Sequence, residues 1–276
     1  MSASVVLRRR LANRLRELRL SAGLSQERAA ELLDVTQRMI SRVESATNTI
    51  NDRDLKRWLD LYEADEETRE KLIDLAQQAR KRGGWWSAYR DLLLGPYVQL
   101  EDEAAEIRNY EPSLVPGLLQ TEEYIRATFA LLSGVTSEYV ERRVEARMKR
   151  QERVTNGDLA VHAIIDEAVL RRPYGSRDAT HAQLAYLIEA NELPNVTLRV
   201  IPFSAGMYRS LGLPFTILKF PEPIDPDIVM AETTVGEKHF EGAEELAMYN
   251  AVFDELSTLA LSGEEPVKLI EGLMAE

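Results

Sequence analysis

The chain has 276 residues, 45% hydrophobic and 29% charged, and no cysteine. That is enough apolar side chain for about two domains with cores of their own, and it excludes disulfides and thiolate metal sites. The formal net charge of −12 argues against a nucleic-acid partner until it is divided: residues 1–60 carry 12 Lys/Arg against 8 Asp/Glu, the rest 22 against 38, so a basic head of about +4 precedes an acidic body of about −16.

The opening run Val5-Val6-Leu7 is followed by Arg8, Arg9 and Arg10, the reverse of a secretory signal. No apolar stretch approaches the ~18 residues of a membrane helix, so a cytoplasmic, nucleoid-associated chain without a membrane partner is expected. His162, His181 and His239 stand far apart without ligand spacing; neither metal nor cofactor is expected.

Leu11, Leu15, Leu18 and Ala22 recur at helical spacing, and Gly23 closes that helix as a C′ glycine does. Ser25 caps a second helix whose inner face is Ala29, Ala30, Leu32 and Leu33. Asp34 and Val35 make a tight turn, and Thr36 caps a third helix to about Ser45, with Ile40 and Val43 inward. A fourth helix starts from Asn51 and Asp52 and buries Leu55, Trp58, Leu59 and Tyr62; a fifth spans about Glu66 to Lys81. Helix, short turn, helix, with a small residue at Ala30 where the two cross, is helix-turn-helix geometry. The start and outer face of the third helix would then reach base edges through Gln37, Arg38, Ser41 and Arg42. Gln26 and Thr36 sit at helix N-termini suited to phosphate.

Leu24-Ser25-Gln26-Glu27 with Val35-Thr36-Gln37-Arg38-Met39-Ile40-Ser41-Arg42-Val43-Glu44 resembles the Xre family of helix-turn-helix regulators, relatives of phage repressors, over about 60 residues. The resemblance implies a five-helix, lambda-repressor-like domain and an internal ion pair between Arg19 and Glu44. Asp34 stands where the family has glycine; aspartate tolerates the left-handed backbone that the turn needs.

Arg82-Gly83-Gly84-Trp85-Trp86 marks a boundary, dividing the chain into a DNA-binding domain (1–82) and a regulatory or partner-binding domain (83–276). Thr121 caps a helix and another begins near Ser137, carrying the basic run Arg142, Arg143, Arg147, Lys149 and Arg150, read as a solvated face in preference to a DNA or acidic-partner contact. Residues 159–165, 196–201, 215–220 and 228–232 read as strands, 179–191 and 241–261 as helices, and Pro266 opens a last short helix. The fold expected is mostly α, with an α+β C-terminal domain: a helical body containing a small β-sheet.

Asn109-Tyr110-Glu111-Pro112, Pro116-Gly117-Leu118-Leu119-Gln120-Thr121-Glu122, Ile165-Asp166-Glu167-Ala168-Val169-Leu170-Arg171-Arg172, Leu193-Pro194-Asn195-Val196-Thr197 and Ile201-Pro202-Phe203-Ser204-Ala205-Gly206 stand in the order of an actinobacterial domain that follows Xre-type helix-turn-helix modules. The body resembles that Scr1-type antitoxin-like domain, which implies a small neighbour-encoded protein as partner. The leading expectation is a sequence-specific transcriptional regulator on a double-stranded DNA operator, a homodimer, with the body serving dimerisation and signal or partner reception. The alternative is an antitoxin-like protein-binding module. Trp85, Trp86, Tyr89, Tyr110, Tyr124 and Tyr208 are candidates for a pocket for a small-molecule effector or partner. Asp166 and Glu167 beside Arg171 and Arg172 lack a nucleophile, metal or phosphate loop, so no enzymatic activity is expected.

Overall fold

The computed structural model describes residues 5–80, 84–93, 96–132, 134–222, 225–233 and 236–276. The predicted domain division between Arg82 and Gly83 lies outside them, as does the predicted end of the fifth helix at Lys81. The chain divides into two compact units, Met1–Arg90 with Leu94–Leu100, and Asp91–Leu93 with Glu101–Glu276.

The first unit holds α1 (Val5–Ser21), α2 (Gln26–Leu33), α3 (Gln37–Glu44), α4 (Asp52–Leu61) and α5 (Glu66–Arg80). Each start has a local cause. Ser25, Thr36 and Asn51 accept the backbone N–H groups of Arg28, Met39 and Asp54, relieving donors that have no partner within the helix. Asp34 adopts the left-handed conformation (φ 53°, ψ 50°), and its N–H and that of Val35 reach back to the last turn of α2. That closes α2 as a glycine would and sends the chain into α3 within two residues. Leu15, Ala29, Ala30, Leu33, Ile40, Leu55, Trp58 and Leu59 form one core.

Helix α6 (Tyr97–Glu103) leads into the second unit, which is built on a six-stranded sheet of order β3-β2-β1-β4-β5-β6. β1 (Glu106–Glu111), β2 (Ala160–Asp166) and β3 (Val196–Ile201) are parallel; β4 (Phe215–Lys219), β5 (Ile228–Thr233) and β6 (Gly236–Phe240) are antiparallel. The crossovers between parallel strands are α7 (Glu122–Ala130) with α8 (Ser137–Thr155), and α9 (Glu167–Arg171) with α10 (Arg177–Asn191). α11 (Ala243–Leu259) lays Val252, Phe253 and Leu256 on Tyr110, Ile164, Ile201, Phe215, Ile217 and Val229. α12 (Glu265–Ala275) ends the chain, with Pro266 in its first turn. On the opposite face Ile107, Val161, Ala163, Ile165, Leu198, Val200 and Leu218 are also buried, so both faces of the sheet are covered, as parallel strands require.

The fold class matches expectation, with β1 and β6 as additions to the four predicted strands. The basic run on α8 differs from its reading as a solvated face. Arg150 makes a bidentate pair with the buried Glu101 at 2.6 Å, Arg142 pairs with Asp91, and Arg147 donates to Gln120. Arg143 lies over the rings of Phe129 and Tyr139, whereas Lys149, paired with Glu152, and the Arg142–Asp91 pair stay at the surface. Arg143, Arg147 and Arg150 therefore act as internal fasteners, and the solvated reading holds only for Arg142 and Lys149. The Pro116–Glu122 motif is held similarly: Gln183 Nε2 donates to the Leu119 carbonyl, Gln151 Nε2 to that of Gln120, and Gln120 Nε2 to that of Val115.

Candidate nucleic-acid interface

The outer face of α3 follows from its inner one. Ile40, Val43 and Glu44 are buried, which turns Gln37, Arg38, Ser41 and Arg42 to solvent, and all four are exposed. Arg38 and Arg42 make no ion pair among the described residues. Gln37 is less free: its Nε2 donates to Glu27 Oε1 at 2.8 Å, from the first turn of α2. The Glu27 carboxyl is held below its usual range by its own backbone N–H and the Ser25 hydroxyl, so it is an anion when it accepts that bond.

Beneath this face lies a buried ion pair. Arg19 Nε and Nη2 donate to Glu44 Oε1 and Oε2 at 2.6 and 2.9 Å, and Arg19 Nη1 to the Leu24 carbonyl at 2.6 Å. The two side chains are 6% and 3% exposed. One guanidinium thus ties α1, the turn before α2 and the end of α3 together, fixing where α3 sits. Gln26 joins the network by donating to Glu44 Oε2 at 2.9 Å. Its side chain is therefore half-buried and structural on one side, whereas Thr36, exposed, accepts from Met39 N. Arg57 donates to the Leu33 carbonyl at 2.7 Å and so caps α2. The Gln26 and Gln37 bonds are features that helical spacing does not carry, because both span residues ten or more apart in sequence.

The six aromatic candidates do not gather as a set. Trp85, Trp86 and Tyr89 belong to the first unit, where Trp85 and Tyr89 meet edge to face. In the second unit Tyr124 stacks on Tyr174 at 4.4 Å and its hydroxyl accepts from Val115 N. Tyr110 and Tyr208 do meet: their hydroxyls are 3.0 Å apart and Tyr208 donates to Asp166 Oδ2 at 2.6 Å. Asp166 caps α9 through its other oxygen, and Glu167 accepts from Arg171 and from Phe203 N. Among the described residues no group of three or more His, Cys, Asp or Glu is placed to hold a metal ion, and no helix is long and apolar enough to cross a membrane.

A helix-turn-helix domain family matches residues 10–72, covering α2, α3 and their neighbours. A second family, described as a domain of unknown function (DUF5753), matches residues 94–272, more than half of the chain. The chain belongs to the DUF5753 family. The DUF5753 region contains the whole six-stranded sheet and the helices that cover it. No curated protein matches the chain.

Proposed function

We propose that this protein is a sequence-specific DNA-binding transcriptional regulator that works as a homodimer in the cytoplasm, on the nucleoid. The observation that carries this reading is the outer face of α3, where Gln37, Arg38, Ser41 and Arg42 stand exposed on a helix held in place by the buried Arg19–Glu44 pair. Arg38 and Arg42 have the fork that matches guanine O6 and N7, and Gln37 the amide that matches adenine N6 and N7. For Gln37 to read adenine it must exchange its bond to Glu27 for the base, so its contribution to affinity is smaller than its contribution to specificity. Thr36 and the first N–H groups of α2 and α3 position phosphate, with Gln26 held in register by Glu44. One such module reads only a few base pairs, so two copies on two half-sites give the affinity.

The experiment is selection of bound DNA from a random pool followed by band-shift titration at physiological salt. A selected sequence should bind at least about tenfold tighter than unrelated DNA, ~1.4 kcal/mol. Equal binding to all sequences refutes the reading.

A second reading, in which the body works mainly as a module for a small partner protein encoded beside it, draws on the segment 203–213. There Phe203, Met207, Leu211 and Leu213 are all at least half exposed, Met207 at 93%, an apolar surface of the kind that partners cover. The two readings are compatible. Because Asp166, Glu167 and Arg171 are taken up by caps and internal bonds, catalysis forms no part of either.

A further inference from the structure

The face of the sheet beneath α11 is apolar at one end and polar at the other. Tyr110, Ile164, Ile201 and Phe215 fill the apolar end. Toward the starts of the three parallel strands stand Arg108 on β1, His162 on β2 and Thr197 and Arg199 on β3. The register pairs Arg108 with His162, His162 with Thr197, and Ile164 with Arg199, so these side chains are neighbours on one face. α11 does not fill the space above them. A cavity of about 240 Å³ remains, walled by these residues and by Phe253, Asp254 and Ser257 of α11. It is roomy enough for a small organic molecule rather than a single water.

Its lining has unused hydrogen-bonding capacity. Arg199 donates once, from Nη1 to the Ser257 carbonyl at 3.1 Å, and meets no carboxylate within ion-pair distance among the described residues. The His162 imidazole and the Thr197 hydroxyl have no hydrogen-bond partner within the described protein. Arg108, by contrast, is already balanced by Glu106 at 2.7 Å and Asp254 at 3.5 Å, and lies over the Phe253 ring. The pocket therefore offers one uncompensated guanidinium, a hydroxyl and an imidazole on rigid strands, beside the apolar surfaces of Ile164 and Phe253. A guanidinium fork takes a carboxylate in two parallel bonds. Glu106 and Asp254 oppose a second negative charge.

We propose that this pocket is a binding site for a small organic monocarboxylate with an apolar body, its carboxylate on Arg199 and its body against Ile164 and Phe253. The inference rests on the second unit alone and stands whether or not the first binds DNA. His162 supplies the readout. Its ring is held below its usual pKa, first by burial and then by Arg108, Arg199 and Lys219, against the opposing pull of Glu106; Asp254 faces it from α11. A bound anion adds a favourable charge and raises that pKa.

The test uses the full chain, whose three histidines give a simple proton NMR spectrum, with His162→Gln assigning the resonance. Benzoate is the probe, benzamide its neutral counterpart, and inorganic phosphate the small-anion control. Benzoate should shift the His162 signal with a dissociation constant of about 1 mM or tighter and move its titration to higher pH. Benzamide and phosphate should do neither. Arg199→Gln should weaken benzoate at least about tenfold with the other histidine signals unchanged. Asp254→Asn, at a rim position 71% exposed and so without risk to the fold, should tighten it. No benzoate shift, an equal shift from benzamide or phosphate, or weaker binding in Asp254→Asn would each overturn the proposal.

Discussion

Replacing Glu44 by alanine should unfold the helix-turn-helix unit at far lower denaturant or temperature than the parent. Glu44 receives both guanidinium bonds of Arg19 and the amide of Gln26, with its side chain only 3% exposed. Its removal leaves a buried cation without a counter-charge, since the Leu24 carbonyl can offset only part of it. Removing one partner of such a pair costs about 3–5 kcal/mol. For a unit of this size each kcal/mol lowers Tm by about 4–8 °C, so a fall of at least about 12 °C is expected. Tryptophan fluorescence isolates the effect in the full chain, because Trp58, Trp85 and Trp86, the only tryptophans, all lie in the first unit. The double variant Arg19→Met with Glu44→Met removes charge and counter-charge together and should lose much less than Glu44→Ala. A cost below about 1 kcal/mol for Glu44→Ala, or a double variant worse than the single, would refute the assignment of α3 placement to this pair.

Other outcomes follow for the second unit. Burial, with Glu232 adding to it, pushes the Glu111 carboxyl up from 4.5 to about 8. Between those values the native state holds a proton that the unfolded chain has lost, so stability falls as pH rises, by up to about 1.4 kcal/mol per pH unit. Glu111→Gln should match the parent at pH 4 and exceed it by several kcal/mol at pH 9, read by circular dichroism during urea unfolding; parallel pH profiles would contradict this. Tyr208→Phe removes the bond to Asp166 and the contact with the Tyr110 hydroxyl. Asp166, 8% exposed, then loses one acceptor bond, at a cost of about 1–3 kcal/mol, measurable as faster amide exchange in β2 and α9; unchanged protection would count against the chain of bonds.

Most of the first unit was legible in the sequence because its signals are local. Ser25, Thr36 and Asn51 announce helix starts through bonds three residues long, and Asp34 closes α2 in the conformation its short side chain tolerates. The Arg19–Glu44 pair came from resemblance, since nothing local joins residues 25 apart. In the second unit β1 escaped because it is a central strand with polar residues on both faces: Arg108 looks into the cavity beneath α11, while Asn109 donates to Thr216 on β4. Neither helical nor alternating hydrophobicity survives in Glu-Ile-Arg-Asn-Tyr-Glu. β6 escaped for the opposite reason, being an exposed edge strand with almost nothing apolar to bury. The arginines of α8 look solvated by spacing because their acceptors, Glu101, Asp91 and Gln120, lie 27 to 51 residues away. Arg108, His162 and Arg199 were invisible as a group because only the register of three parallel strands brings them together.

Reading of DNA sequence by the outer face of α3 is decided by titrating the parent and the quadruple variant Gln37→Ala, Arg38→Ala, Ser41→Ala, Arg42→Ala against the selected sequence and against unrelated DNA. All four side chains are exposed, so the variant should unfold like the parent. Base reading by α3 gives a preference of at least about tenfold for the selected sequence in the parent and none in the variant. A folded variant that keeps the parent's preference would contradict it.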